Sequence, residues 1–114
     1  MKVVVFGAEG WTGRAVLANL REKHDIRSSV YAPESWEQWN DIDGEWQGED
    51  VQYGDIVDFD VVHRATEGMD AIIHLAVHFP YRSNVPEEHN TQSFLVNLKG
   101  LWNVLEFPPS VDFR

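Results

Sequence analysis

The sequence contains no cysteine, few basic residues and no long hydrophobic run. The lack of cysteine excludes a disulfide framework. Nine basic residues against 19 acidic ones give a net charge of −10, which disfavours binding to nucleic-acid phosphates. The longest apolar runs, residues 3–6 and 71–77, are too short to span a bilayer, and the first shows no signal-peptide pattern. We therefore expect a cytoplasmic protein without nucleic-acid or membrane partners.

The composition that is present suits a folded domain. Hydrophobic residues make up 43% of the 114 residues and aromatic residues 12%, which is enough to build a core. We expect the five tryptophans to pack in that core rather than to stack on bases. A complete dinucleotide-binding domain has about 150 residues or more. We therefore interpret residues 1–107 as the N-terminal part of such a domain and residues 108–114 as a tail.

Strand and helix patterns alternate along the chain. Apolar runs predict strands over residues 2–6, 26–31, 51–56 and 71–76. Helical patterns cover residues 12–21, 58–67 and a stretch from about Asn90 to the Pro108-Pro109 pair, whereas residues 33–50 are expected to form a loop in which a short helix over 34–40 is possible. The alternation predicts an α/β fold: a Rossmann-like half with flanking helices and a parallel sheet of about four strands in the order 3-2-1-4.

A glycine-rich turn joins the first strand to the first helix. Gly7, Gly10 and Gly13 have the spacing Gly-x-x-Gly-x-x-Gly between a buried strand and a helix. Such a turn presents backbone amides and the positive end of the helix dipole to a pyrophosphate. The crevice should lie beyond the carboxyl ends of the first and fourth strands, where the strand order reverses. A purely structural turn is the alternative interpretation, and Glu9 is an unexpected acid beside phosphates.

Three later segments extend this pattern. Residues 53–56 read Tyr-Gly-Asp-Ile, residues 68–76 read Gly-Met-Asp-Ala-Ile-Ile-His-Leu-Ala, and residues 96–106 contain Asn-x-x-Gly-x-x-Asn-x-Leu-Glu. Together with the glycine turn, they resemble the short-chain dehydrogenase/reductase superfamily, in particular its extended branch of NAD(P)-dependent epimerases and dehydratases. The resemblance covers residues 2 to about 107.

The resemblance implies an NAD or NADP cofactor, hydride-transfer chemistry, and a nucleotide sugar or a similar hydroxyl or carbonyl substrate. It also assigns roles by position: phosphate-turn residues, adenine contacts after the third strand, ribose contacts after the fourth, and an asparagine that supports the active site. The corresponding residues are Gly7, Glu9, Gly10, Trp11, Thr12, Gly13, Tyr31, Asp55, Ile56, Leu75, Ala76, Val77 and Asn97.

The chain departs from the family pattern at the end of the second strand. Tyr31 stands where NAD-dependent members usually carry the aspartate that binds the adenosine ribose. Glu34 could replace that acid, whereas Arg14 or Arg27 could favour the 2′-phosphate of NADP. The choice between NAD and NADP stays open at this point.

A second departure concerns catalysis. The family's catalytic Tyr-x-x-x-Lys pair is absent, because Tyr31, Tyr53 and Tyr81 all lack a lysine four residues later. We therefore expect this chain alone to bind a cofactor without turning over substrate. The alternative is a non-catalytic module for nucleotide binding or self-association.

The remaining expectations concern assembly and metals. The apolar fourth strand would lie at the sheet edge, which predicts a homodimer or cover by another segment. The long helix carries an apolar stripe that could pack on the sheet, formed by Phe94, Leu98, Leu101, Trp102 and Leu105. His74, His78 and His89 lack characteristic ligand spacing, so no metal site is expected.

Overall fold

The structure is a computed structural model that describes residues 1–46, 48–78 and 87–106. Within these ranges strands and helices alternate, and none of the helices is long and apolar enough to cross a membrane. The elements in chain order are β1 (Lys2–Phe6), α1 (Trp11–Leu20), β2 (Asp25–Val30), α2 (Pro33–Glu37), α3 (Asn40–Asp43), β3 (Asp50–Tyr53), α4 (Phe59–Thr66), β4 (Ala71–His74), α5 (Glu87–Phe94), a π-helical turn (Leu95–Lys99) and α6 (Gly100–Leu105).

The four strands form one parallel sheet in the order β3-β2-β1-β4, which confirms the predicted topology. Phe6 at the end of β1 pairs with Ser29 of β2 and with His74 of β4. Val30 at the end of β2 pairs with Tyr53 of β3. The strands therefore end together, and we call this side of the sheet the carboxyl edge.

The core has two layers, one on each face of the sheet, because β1 is buried on both faces. Val3 and Val5 point into a cluster with Leu17 of α1 and Trp36 of α2. The alternate residues of β1 pack on the other face against α4 and α6, in a cluster of Val4, Phe6, Ile56, Val62, Ala65 and Val104. A short β-branched run buried on both sides is typical of a central parallel strand.

The region 33–50 contains α2 and α3 and is therefore not a loop throughout, and α2 lies close to the short helix over residues 34–40 that the sequence allowed. Pro33 occupies the first turn of α2, where its fixed φ angle suits a helix and its missing N–H is not needed. Trp36 anchors this helix by packing into the core against β1 and α1. The prediction for the tryptophans holds for Trp36 but is wrong for Trp11 and Trp102, which are 82% and 62% exposed.

The predicted boundaries of other elements shift slightly. Helix α1 starts at Trp11 rather than Thr12, and β3 and β4 end at Tyr53 and His74, so residues 54–56 and 75–76 lie beyond the strands. Helix α5 starts at Glu87 rather than about Asn90. The predicted loop over residues 79–86, the helix stop at Pro108-Pro109 and the tail 108–114 lie outside the described residues.

The predicted last helix corresponds to α5, the π-helical turn and α6, which together we call the last helix. Its apolar stripe does not pack on the sheet, so that expectation is wrong. Its five residues are all exposed, from 38% at Leu101 to 65% at Leu105. A different side of α6 is buried, and it includes Gly100, Asn103 and Val104. Gly100 allows this close approach, because a Cβ atom there would lie 2.7 Å from Ile56 Cγ2.

Asn103 fastens α6 to the segment after β3. Its buried Nδ2 donates to the backbone oxygens of Ile56 at 2.9 Å and of Val57 at 3.0 Å. These carbonyls lie beyond the strand and have no ladder partner from it. The asparagine thus supplies the donors that a buried backbone requires.

Asn103→Ala should lower the free energy of unfolding by about 1–3 kcal/mol, because it leaves buried carbonyl groups without donors. Urea denaturation followed by circular dichroism measures the loss. The matched control is Asn19→Ala, whose exposed Nδ2 bonds only to Ala15 O within α1; it should change stability by about 0.5 kcal/mol or less. Equal effects of the two substitutions would contradict this role of Asn103.

Candidate functional site

The turn after β1 lies against the segment after β4. Gly7 has a φ angle of +79°, which favours glycine. A Cβ atom at Gly7 would lie 2.5 Å from Ala76 N, so no side chain fits there. The amide of Gly7 donates to Ser29 O at 3.2 Å and that of Leu75 to Phe6 O at 2.8 Å. These contacts extend the packing of β2, β1 and β4 one residue past the strands.

The two later glycines of the turn have different surroundings. A Cβ atom at Gly13 would collide with the Gly7 carbonyl oxygen and lie 2.7 Å from Ala8 Cα, so α1 approaches the turn as closely as its backbone permits. A Cβ atom at Gly10 would meet only Gly7 O at 3.5 Å. Gly10 is exposed at the start of α1, and in this described segment no side chain caps the helix. At Gly10 the turn therefore presents its backbone to the open side.

Glu9 is held by the segment that follows α2. Its carbonyl oxygen accepts hydrogen bonds from Trp39 Nε1 at 2.6 Å and from Gln38 Nε2 at 3.3 Å. Its carboxylate Oε1 accepts from Tyr31 N at 3.4 Å. Burial raises the pKa of the Glu9 carboxyl above its ordinary value, although backbone hydrogen bonds oppose this shift. The acid therefore lies between the turn and the end of β2, and burial disfavours its charged form.

The segment after β3 is shaped by Asp55. Its Oδ1 accepts from Val57 N at 3.0 Å, and Gly54 N donates to Val30 O at 2.9 Å. Ile56 is buried against α6, as described above. Asp55 and Ile56 thus lie directly beyond β3 at the carboxyl edge, beside the end of β2.

Asn97 holds the segment after β4. Its Oδ1 accepts from His78 N at 2.8 Å and its Nδ2 donates to His78 O at 3.0 Å, so the amide bonds both backbone groups of one residue. His78 Nδ1 also lies 2.8 Å from Ser93 Oγ. The last helix therefore fixes the backbone that leads from Leu75 to His78, and Val77 in this segment is exposed.

The carboxyl edge brings the predicted site residues together. The glycine turn, Tyr31, Asp55 and the segment from Leu75 to Val77 all follow strands that end there. Asn97 reaches the same edge through His78. The exposed Trp11 lies at the rim, edge-on to Trp39 with ring centres 6.3 Å apart.

The two arginines considered for a 2′-phosphate are engaged elsewhere. Arg14 is buried; it donates to Trp36 O at 2.8 Å, and its guanidinium lies 3.9 Å from the centre of the Trp36 ring. Arg27 pairs with Asp50 at 3.0 Å and donates to carbonyls at the end of α4, away from the carboxyl edge. Glu34, the acid considered as a substitute, lies exposed in the first turn of α2.

Several residues that hold the site were not predicted. Gln38 and Trp39 donate hydrogen bonds to the Glu9 carbonyl oxygen from the region 33–50. No sequence motif indicated this contact. Asn103 stands in the Asn-x-x-Gly-x-x-Asn segment, so that motif did contain a signal for it. Ser93 was not singled out by any motif.

The histidines form no metal site among the residues that the structure describes. Within residues 1–46, 48–78 and 87–106, no group of three or more histidine, aspartate or glutamate side chains could hold a metal ion. His74 packs edge-on against Phe6, and burial lowers the pKa of its imidazole. The side chain of His89 lies outside the described residues.

Comparison with known proteins identifies the family. A family model described as the 3-beta hydroxysteroid dehydrogenase/isomerase family matches residues 4–112. The chain belongs to this family. Its resemblance to the NAD(P)-dependent epimerases, dehydratases and reductases of the extended short-chain type is thereby confirmed.

Individual relatives show how much of such a protein is present. A 3 beta-hydroxysteroid dehydrogenase/Delta 5-->4-isomerase of Mycobacterium tuberculosis is 31% identical over 107 residues, which cover 91% of this chain and 27% of that protein. A short-chain dehydrogenase/reductase superfamily protein of Agrobacterium tumefaciens, solved with bound NAD, matches 93% of this chain and 28% of its own, with a TM-score of 0.73 and 23% identity. A mutant uronate dehydrogenase of Agrobacterium tumefaciens complexed with NAD matches 92% and 35%, with a TM-score of 0.66 and 25% identity. The chain thus spans about a third or less of these relatives.

Glu9→Gln should stabilise the fold at neutral pH, because the substitution removes a carboxylate whose charged form is disfavoured by burial. A folded-state pKa above the unfolded one means that the penalty is fully present above the folded pKa and disappears as pH falls below the ordinary glutamate value. Urea denaturation of both proteins between pH 8 and pH 4.5 should show the stability difference shrinking on acidification. Glu37→Gln, at an exposed position of α2, is the control. A difference that grows at low pH would contradict the buried-acid interpretation.

Proposed function

We propose that this chain binds an NAD-type dinucleotide at the carboxyl edge of its sheet and forms the nucleotide-binding part of a hydride-transferring enzyme. The observation that carries the proposal is the turn from Gly7 to Gly13. Gly10 is exposed there and directly precedes α1, whose first turn has no side-chain cap. A helix start of this kind favours an anion such as a pyrophosphate. The two NAD-bound relatives named above share this fold over more than nine-tenths of the chain.

The proposed placement of the cofactor follows the strand order. The pyrophosphate would be held by Gly10, Trp11, Thr12 and Gly13, with Gly7 keeping the turn tight. Tyr31, Asp55 and Ile56, at the ends of β2 and β3, would contact the adenosine half. Leu75, Ala76 and Val77 would contact the other half, and the backbone that follows them is fixed by Asn97 through His78.

The bound nicotinamide ring supplies a hydride acceptor or donor. This chain's contribution is to bind and orient the dinucleotide, because the described carboxyl edge contains no tyrosine with a lysine four residues later. We infer that the reacting group is a hydroxyl or the carbonyl that forms from it, since the matched 3 beta-hydroxysteroid dehydrogenase is named for a hydroxyl-bearing substrate. Four further points stay predictions. They are the nucleotide-sugar substrate, the cytoplasmic location, the assignment of residues 1–107 as the N-terminal part of a dinucleotide-binding domain, and the inability of this chain alone to catalyse.

Gly10→Ala should separate binding from folding. A Cβ atom fits at Gly10, so stability should fall by about 1 kcal/mol or less, yet the methyl group would stand where the pyrophosphate approaches the backbone. We expect NAD and NADP to bind the variant at least about 10-fold more weakly than the wild type in calorimetric titrations, which is about 1.4 kcal/mol.

The contrasting variant is Gly13→Ala, whose Cβ atom collides with backbone. It should lose both folding and binding. Unchanged affinity in a folded Gly10→Ala variant would contradict the phosphate role of the turn, and a wild-type chain that binds neither cofactor would overturn the proposed function.

We also propose that the exposed stripe of the last helix pairs two copies of the chain. Phe94, Leu98 and Trp102 are each more than half exposed and lie along one side of this helix. A contiguous apolar surface of this kind is typical of an interaction site. The edge position of β4 within the described sheet is compatible with a partner on that side.

Replacing both Leu98 and Trp102 by glutamate should convert a dimer into a monomer, because dimerisation would bury two charges in an apolar interface. Sedimentation velocity at roughly tens of micromolar protein measures the change from dimer to monomer. Ile42→Glu, at a 76% exposed apolar position of α3, should leave the dimer intact. A wild-type chain that sediments as a monomer would contradict the pairing.

A further inference from the structure

The carboxylate of Glu9 lies at the end of β2, beside the position where the family pattern has a different acid. In NAD-dependent members that acid follows the second strand, and here its position is taken by Tyr31. Glu9 comes from the preceding turn, but its Oε1 accepts from the backbone N–H of Tyr31 at 3.4 Å. A carboxylate is thus present at the end of β2, but it comes from the turn after β1.

The backbone of Glu9 is fixed from behind. Trp39 Nε1 and Gln38 Nε2 both donate to its carbonyl oxygen. Gln38 Nε2 also donates to Ser35 O at 2.6 Å, which ties this support to α2. Because the carbonyl is held on the α2 side, the side chain is directed towards β2. A carboxylate that is already oriented loses little entropy when a ligand binds.

The second carboxylate oxygen has no partner among the described residues. Glu9 Oε2 is buried and accepts no hydrogen bond there. A buried carboxylate oxygen without a donor destabilises the fold, and a ligand hydroxyl group would relieve that penalty. The ribose of an adenosine carries such hydroxyls, and in the proposed binding mode it lies at the end of β2.

The surrounding charges favour a neutral ribose over a phosphorylated one. Arg14 is stacked in the core between Trp36 and Trp46, and Arg27 is bound at the far side of β2. Neither arginine is placed to receive a phosphate at Tyr31. A phosphate at that point would meet the carboxylate of Glu9 instead, and like charges at short range repel.

We propose that Glu9 is the cofactor-selecting residue of this chain: its carboxylate accepts hydrogen bonds from the adenosine ribose hydroxyls and repels a 2′-phosphate, so NAD binds in preference to NADP. This inference rests on the proposed dinucleotide binding. It names a specificity-determining residue and assigns Glu9 no part in hydride transfer.

The test is calorimetric titration of the full chain with NAD, NADP and NAD that lacks the adenosine 2′-hydroxyl. The wild type should prefer NAD to NADP by at least about 10-fold, and Glu9→Gln should reduce that ratio by about 10-fold. Removing the 2′-hydroxyl should weaken binding to the wild type more than binding to Glu9→Gln, since a hydrogen bond to the neutral amide is weaker than one to a carboxylate.

Two further variants make the result specific. Glu37→Gln removes one negative charge from an exposed position of α2 and should leave the ratio unchanged. Glu34→Gln tests the other acid near the end of β2, and a collapse of the ratio in this variant alone would transfer the role to Glu34. Circular dichroism and urea denaturation establish that each variant is folded.

The outcomes separate the two claims. If the wild type binds none of the three dinucleotides, the proposed function fails and the role of Glu9 fails with it. If the wild type binds dinucleotides but Glu9→Gln leaves the NAD to NADP ratio unchanged, dinucleotide binding stands and the selecting role of Glu9 is overturned.

Discussion

The close contact of three backbone segments at the end of β1 determines most of this structure. Gly7 lies against the backbone of Ala76, and Gly13 lies against Gly7 and Ala8. No side chain fits at either contact, so α1 and the segment after β4 approach β1 directly. The proposed anion site lies beside this contact, where Gly10 leaves backbone exposed before α1.

The last helix connects the other parts of the carboxyl edge. Asn97 fixes the segment after β4, Gly100 allows close packing on Ile56, and Asn103 fixes the segment after β3. Two segments that follow different strands are thus held by one continuous helical stretch, formed by the π-helical turn and α6. The π-helical turn at Leu95–Lys99 includes Asn97, in line with the frequent occurrence of such turns at functional sites.

The topology and the location of the site could be predicted because they depend on short, strong signals. The β-branched run of β1 admits burial on both faces, and glycines at positions 7, 10 and 13 suit a strand-to-helix turn. The family pattern predicted Asp55 and Asn97 as site residues, and the contacts of both lie at the carboxyl edge. Strand order followed from the right-handed crossovers of consecutive βαβ units.

The parts that could not be predicted depend on long-range packing. Trp39 bonds to Glu9, 30 residues away, and nothing in its local sequence indicates this contact. The last helix carries a more apolar face than the one it buries, so hydrophobic periodicity selected the wrong side. The buried side is chosen instead by the small volume of Gly100 and the hydrogen bonds of Asn103. Helix α2 likewise depends on the packing of Trp36 rather than on local periodicity.

Backbone amide NMR of the labelled chain shows most directly whether a dinucleotide binds at the carboxyl edge. Adding NAD should shift the amide signals of Gly10, Gly13, Tyr31 and Ala76. The signals of Lys2 and Asp25, at the opposite ends of their strands, should not move. Shifts confined to that opposite edge, or no shifts at saturating NAD, would contradict dinucleotide binding at the carboxyl edge.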